Sequence, residues 1–288
     1  HFDAMAFARL AESFGEHSLC DLTRNGNGKD SLLCIRNVVP APFLKTRFEL
    51  AHSVTLFSAT LSPWHYFADL LGLPENTGWV DVESPFAAGQ LAVHVTNRIS
   101  TRYQHRAASL APIARLMADQ YGQAPGNYLA FFSSFDYLDQ AATLFAKAYP
   151  AVPIWRQERR MSEGERGAFL ERFQPEGRGI GFAVLGGSFG EGIDLPGARL
   201  IGAFVATLGL PQLNPVNEQL RTRMQAMFGA GYDYTYLYPG LQKVVQAAGR
   251  VIRTEQDQGV VYLIDDRFDQ SAVRALLPRW WQVEKISA

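Results

Sequence analysis

The sequence predicts an α/β fold, a mostly parallel sheet with helices on both faces, over residues 91–288. Three observations carry this. Short apolar runs at 91–96, 128–133, 152–155, 181–185, 200–205 and 260–264 alternate with helical stretches at about 106–121, 136–148, 162–173 and 214–249. A crossover helix returns the chain to the same end of a sheet, so strands spaced in this way pair in parallel. Several of the runs lack polar alternation, as burial on both faces requires. The composition is that of a packed domain: 288 residues, 47% hydrophobic and 19% charged, enough chain to bury about 75% of its unfolded surface.

In chain order, residues 1–16 predict the end of a helix, with Phe2, Met5, Ala6, Leu10 and Phe14 at helical spacing. Runs 18–23 and 31–36 predict two strands joined through Asn25-Gly26-Asn27-Gly28-Lys29, residues that form a hairpin turn. Gly28-Lys29 is not a phosphate-binding loop. Thr23 stands where that motif has its first glycine, and Asp30 where it has Ser or Thr. The two cysteines, Cys20 and Cys34, predict buried free thiols and are too few for a four-thiolate cluster. Residues 42–51 predict a helix and 54–57 a short buried strand. Ser58-Ala59-Thr60-Leu61-Ser62-Pro63 follows, then a helix that Gly72-Leu73-Pro74 stops. The Pro- and Gly-bearing stretch 74–90 predicts a linker between a segment 1–73 and a domain 91–288. Within that domain, the 214–249 helix is expected to break at 229–231.

The formal net charge is −1, which excludes broad electrostatic coating of nucleic acid but leaves room for a local basic groove. Arginines outnumber lysines, 22 to 5, and the guanidinium fork matches a phosphate bidentately. No uncharged apolar run reaches the roughly 18 residues of a membrane span, and no signal peptide opens the chain, so no membrane partner and a cytoplasmic location are expected. The first residue is His1 rather than Met, which predicts a piece of a longer protein.

In parallel sheets, chemistry gathers on loops beyond the carboxyl ends of the strands. After the 181–185 run comes Gly186-Gly187-Ser188-Phe189-Gly190-Glu191-Gly192-Ile193-Asp194-Leu195-Pro196-Gly197. Its glycines let backbone N–H groups approach a phosphate or sugar, and Glu191 and Asp194 are acceptors for a ribose hydroxyl. Near the end of the last long helix, Gln246, Gly249, Arg250 and Arg253 fall on one face by spacing. A face of amide, glycine and two guanidiniums suits a triphosphate, whose charge grows on the transferring phosphoryl group. Ser133 and Ser134 end a strand and open a helix, a place for a backbone phosphate or a simple N-cap. Ser58-Ala59-Thr60 also follows a strand-like run. Tyr232, Tyr234, Tyr236 and Tyr238 either stack bases or form an amphipathic strand or a packing patch. His52, His65, His94 and His105 show no metal spacing, and no metal site is expected.

The segment Gln246-Ala247-Ala248-Gly249-Arg250-Val251-Ile252-Arg253 resembles the last signature motif of superfamily 2 DNA helicases. Its form, with Asp257-Gln258-Gly259-Val260-Val261 and Asp265-Asp266-Arg267-Phe268 beyond, resembles the XPD/DinG branch and best its bacterial DinG/YoaA-like members. Ser188-Phe189-Gly190-Glu191-Gly192-Ile193-Asp194 resembles the branch's fifth motif, Phe132-Ser133-Ser134 its fourth and Ser58-Ala59-Thr60-Leu61 its third. The resemblance implies two RecA-like motor domains with ATP and Mg²⁺ in the cleft between them. Residues 91–288 would be the second motor domain, and 1–73 the closing part of the first with a preceding insertion. Arg250 and Arg253 would be fingers on the γ-phosphate, with Gln246 orienting them. Gly190, Glu191, Gly192, Asp194 and Gly249 would line the nucleotide. Ser133, Ser134, Ser188 and Thr60 would grip single-stranded DNA. The family moves 5′ to 3′, in repair or replication, and some members carry an iron–sulfur cluster in the first domain. The Walker lysine, the Asp-Glu-x-His motif and the cluster cysteines are absent from this sequence. The partner implied is therefore an upstream first helicase domain of the same protein, and these residues alone are expected to hydrolyse no ATP. The alternatives are a RecA-like module that binds single strands or a partner without catalysis, and another α/β enzyme, such as a nucleotide-sugar transferase, using the glycine loop.

Overall fold

The computed structural model describes residues 2–24, 31–190 and 193–286. Its elements in chain order begin with α1 (Phe2–Glu12), β1 (Ser18–Arg24), β2 (Ser31–Asn37), α2 (Ala41–Leu50) and α3 (Trp64–Leu71). Then come β3 (Leu91–Thr96), α4 (Arg106–Gln123), β4 (Asn127–Phe132), α5 (Phe135–Ala148), β5 (Ile154–Arg156), α6 (Glu163–Leu170) and β6 (Gly179–Val184). The rest are β7 (Gly202–Ala206), α7 (Pro215–Phe228), α8 (Tyr238–Ala248), β8 (Gly259–Ile264), α9 (Ser271–Arg274) and β9 (Gln282–Ile286). Two compact units are formed: His1–Asp81 with Pro211–Tyr238, and Val82–Leu210 with Pro239–Ala288. Residues 211–238, which the sequence reading left inside the 91–288 domain, group with the first unit.

The second unit is built on a seven-stranded sheet in the order β5-β6-β4-β7-β8-β3-β9, every pair parallel. The interior strand β4 is buried on both faces. Tyr128, Ala130 and Phe132 point into a core shared with Ile113 and Met117 of α4 and Leu138, Ala141 and Phe145 of α5. The alternate residues Leu129 and Phe131 are equally buried on the other face. There, Gly181 clears the space that aromatics fill: a Cβ at this position would lie 2.8 Å from Phe173 and 3.1 Å from Phe169. This is the expected α/β fold. Helix α6 starts at Ser162, whose hydroxyl and Glu165 form a reciprocal capping box, and it ends three residues before 173. The edge strand β9 was not anticipated.

In the first unit, β1 and β2 pair antiparallel, Ser18 facing Asn37. The glycine-rich turn expected between them lies outside the described residues. Cys20 and Cys34 are free, as expected, but exposed and half-buried rather than buried. The strand expected at 54–57 does not form. Those residues find no ladder partner among the described residues, and Phe57 is 90% exposed; without a partner an apolar run has nothing to make it a strand. The helical pattern of 214–249 breaks where expected, at Gly229, which caps α7 with φ +70°. The tyrosine run then forms not a strand but a π-helical turn, Asp233–Leu237. Tyr234 and Tyr238 are buried against Tyr66 of α3 at ring distances of 5.0 and 5.4 Å. Tyr234 donates to Asp69, Tyr236 donates to Glu218 at 2.7 Å, and His65 bonds the Tyr238 hydroxyl at 3.1 Å. The packing alternative therefore holds for these three tyrosines, while Tyr232 stays half-exposed.

Candidate functional site

The glycine-rich loop follows β6 and is pinned rather than free. Phe189 is buried with its ring 4.1 Å from Phe169, and Ile193 and Leu195 are buried on either side of the exposed Asp194. Gly186 takes φ +77°, and a Cβ on it would come 3.1 Å from the Lys243 stem of α8. A Cβ on Gly190 would stand 3.0 Å from the Gly186 amide. Glycine is thus needed for the backbone to double back here, while Ser188 and Asp194 face solvent. Glu191 and Gly192 lie outside the described residues.

The arginine segment departs from the sequence reading in its local structure. Helix α8 ends at Ala248, so Gly249, Arg250 and Arg253 lie in the turn beyond it and not on a helical face. The amides of Arg250 and Val251 bond three residues back, to Ala247 and Ala248, the tightening that ends a helix. Gly249 is not a mid-helix glycine; a Cβ there would sit 3.2 Å from the Val245 carbonyl. Gln246 remains on the last turn of α8, half-buried. Convergence of the two guanidiniums comes from the tertiary fold. Arg250 Nη1 donates to the Ile193 carbonyl at 2.7 Å and Arg253 Nη2 to the same oxygen at 3.1 Å. Arg250 Nη2 also reaches the Gly190 carbonyl at 3.4 Å, and Arg253 Nε lies 3.5 Å from Asp194 Oδ1. Both guanidiniums thus converge on one carbonyl, and the exposed Asp194 carboxylate lies beside that of Arg253.

Two residues outside the expected set hold this segment. The buried Asp257 carboxylate accepts the amides of Arg253 and Thr254 at 2.7 and 2.8 Å and the Thr254 hydroxyl at 2.8 Å. Burial pushes that carboxyl up, but these bonds outweigh it and hold it below its usual value. Gln90 Nε2 donates to the carbonyls of Thr254, Glu255 and Asp257. Sequence reading placed Asp257 only in the stretch beyond the last motif and offered no signal for Gln90.

Strand β4 ends at Phe132, with Ser133 and Ser134 just beyond it. The Ser134 hydroxyl caps α5 by accepting the Tyr137 amide. Ser133 Oγ accepts from Arg106 Nη2 at 2.9 Å. Thr60, in the first unit, makes local bonds with the Ser58 hydroxyl through its amide and side chain. The loop after β8 carries a buried carboxylate, Asp265, which Arg267 meets at 2.6 Å and Thr101 also bonds. Among the described residues no group of three or more His, Cys, Asp or Glu could hold a metal ion. No helix described is long and apolar enough to cross a membrane.

A model of the helicase C-terminal domain matches residues 117–284, more than half of the chain. The chain belongs to the helicase C-terminal domain family. Within it, the relatives are of the XPD type in superfamily 2. The Caenorhabditis elegans ATP-dependent DNA helicase chl-1 is 28% identical over 200 residues, covering 62% of this chain and 22% of that protein. The Bos taurus regulator of telomere elongation helicase 1 is 27% identical over 259 residues, covering 79% and 21%. An apo structure of XPD superposes with a TM-score of 0.69 at 20% identity, over 88% of this chain and 53% of that one, which gives this helicase C-terminal domain the same fold. The chain spans about a fifth of the length of these two curated relatives.

Proposed function

We propose that this chain is the second motor half of an ATP-dependent DNA helicase of the DinG type that moves 5′ to 3′ along single-stranded DNA. The observation that supports this best is the meeting of Arg250 and Arg253 on the Ile193 carbonyl. In the proposed mechanism, ATP sits on a first motor domain of the same protein, and these two guanidiniums close on its γ-phosphate. Phosphoryl transfer is governed by positioning and electrostatics, so the fingers act by neutralising charge that develops in the transition state. Gln246 orients them. Asp194, beside Arg253, accepts from a ribose hydroxyl and couples the nucleotide to the strand. Glu191 is a second acceptor beside it, and Gly190, Gly192 and Gly249 allow the backbone to approach. Ser133, Ser134, Ser188 and Thr60 each grip the backbone of the strand. Loss of the γ-phosphate removes the attraction, the cleft relaxes, and alternate grip and release advances the strand.

Mg²⁺ bound with the ATP would stabilise the transferring charge. Its ligands would belong to the first motor domain. Cys20 and Cys34 do not fit a four-thiolate iron–sulfur cluster; such a cluster would belong elsewhere in the protein. A cytoplasmic role in DNA repair or replication completes the reading.

Titration of the 288-residue chain with a fluorescent ATP analogue, alongside a DNA-stimulated hydrolysis assay, tests it. Weak nucleotide binding and no turnover above background are expected. Robust turnover would refute the half-site, and tight binding without DNA affinity would point to a different α/β enzyme.

A further inference from the structure

We propose that Tyr103, Arg106 and Ser133 form a one-nucleotide grip for single-stranded nucleic acid, Arg106 taking a backbone phosphate and Tyr103 stacking on the adjacent base. The inference rests on the single-strand reading above and extends it to two residues that lie outside every motif.

The grip is assembled around Arg106, the first residue of α4. Its guanidinium carbon stands 5.3 Å from the Tyr103 ring centroid and 5.2 Å from that of Tyr137. One Nη donates to Ser133 Oγ at 2.9 Å. Ring contacts and hydrogen bond together fix the side chain in a single pose, so little rotamer freedom remains to be lost on binding. No carboxylate lies within ion-pair distance of it among the described residues, whereas nearby Arg102 is paired with Asp266 at 2.6 Å. The buried Nε of Arg106 likewise finds no acceptor. A preorganised, half-buried guanidinium without a counter-charge is a site for an anion, and its fork fits a phosphate.

Tyr103 supplies the second component. It lies one short turn before Arg106 on the 3-10 helix Tyr103–His105 and is 83% exposed. The buried Tyr137 packs against Phe132 at 5.2 Å and bonds the Ser109 hydroxyl, so it serves the core. Tyr103 has no such duty. A solvent-facing ring beside a fixed cation is the arrangement that binds a strand without reading its sequence, because every base has a face to stack. Ser133, the fourth-motif hydroxyl, then acts partly by aiming Arg106.

Fluorescence anisotropy with the 288-residue chain at low salt tests the grip, using oligothymidylate and an abasic phosphodiester of equal length. Tyr103→Leu is expected to weaken oligothymidylate binding roughly 5- to 150-fold, the span of one base–aromatic stack, and to leave the abasic strand unaffected. Tyr103→Phe should bind as the native chain does. Arg106→Gln should weaken both strands and lower the salt slope by about 0.7, the signature of one phosphate on a single strand. If the native chain binds oligothymidylate and Tyr103→Leu and Arg106→Gln bind it equally well, the grip is wrong and the single-strand reading stands. If the native chain binds neither strand, the single-strand reading falls and the grip with it. Tyr103 is exposed, so its variants keep the test valid even where Arg106→Gln perturbs folding.

Discussion

Removing the Asp257 carboxylate should release Arg253, and the cost can be worked from its bonds. Three donors converge on that side chain at 2.7–2.8 Å, and the residue is 6% exposed. A hydrogen bond contributes about 1 kcal/mol net, and more when one partner is charged. Asp257→Ala loses all three and leaves two amides to find water, so a loss of about 3 kcal/mol is expected. Asp257→Asn should cost about 1 kcal/mol, since both amides bond the same oxygen, Oδ2, which an amide side chain can replace. Urea unfolding of the second unit, followed by tryptophan fluorescence, measures both. The pH dependence follows from the direction of the shift. The folded carboxyl titrates below its usual value of 3.8, so its contribution is present above that value and is lost as pH falls through the folded pKa. Native chain and Asp257→Asn should converge in that acid window. An Asp257→Ala chain within about 0.5 kcal/mol of the native one, the scatter of an inert surface change, would refute the reasoning.

Gly209→Ala should destabilise the second unit by about 3 kcal/mol, because the position combines a left-handed backbone with a clash: φ is +76° and a Cβ would stand 2.4 Å from the Gly240 carbonyl. Thermal unfolding reads this, and an unchanged midpoint contradicts it. The first unit should fail in alkali. Burial, and donation to Glu218, push Tyr236 up to about 12, and burial with Asp69 raises Tyr234. Both are held protonated by the fold, so their stabilisation is full below the unfolded value near 10 and is lost as pH rises through the folded values. Tyrosinate absorbance rising together with loss of helix above pH 10 is expected; titration of every tyrosine near 10 with the fold intact would contradict it.

The sheet was legible because doubly buried strands leave apolar runs that helices separate, and β3, β4, β6, β7 and β8 lie close to where those runs predict them. The edge strand β9, Gln282–Ile286, escaped because its residues are mostly exposed and include Glu284 and Lys285. Residues 54–57 misled for the opposite reason, since an apolar run makes a strand only when a neighbour pairs with it. The tyrosines misled through spacing: a period of two suggests a strand, yet the π-helical turn buries Tyr234, Thr235, Tyr236 and Leu237 alike. Residue chemistry marked out the glycine loop and the two arginines even though their helical face was an error, because what unites them is the Ile193 carbonyl. Gln90 and Arg106 were invisible. Gln90 acts 164 residues away from Thr254, and Arg106 owes its fixed pose to Ser133 and two tyrosine rings.

In the proposed function, this chain supplies the arginines of an ATP site completed by another domain. Single-turnover ATP hydrolysis by the intact helicase carrying Arg253→Ala, with single-strand affinity measured on the same preparation, tests it most directly. A loss of turnover approaching the roughly 10³- to 10⁵-fold range of arginine fingers is expected, with strand binding unchanged. Turnover equal to that of the native enzyme would contradict it.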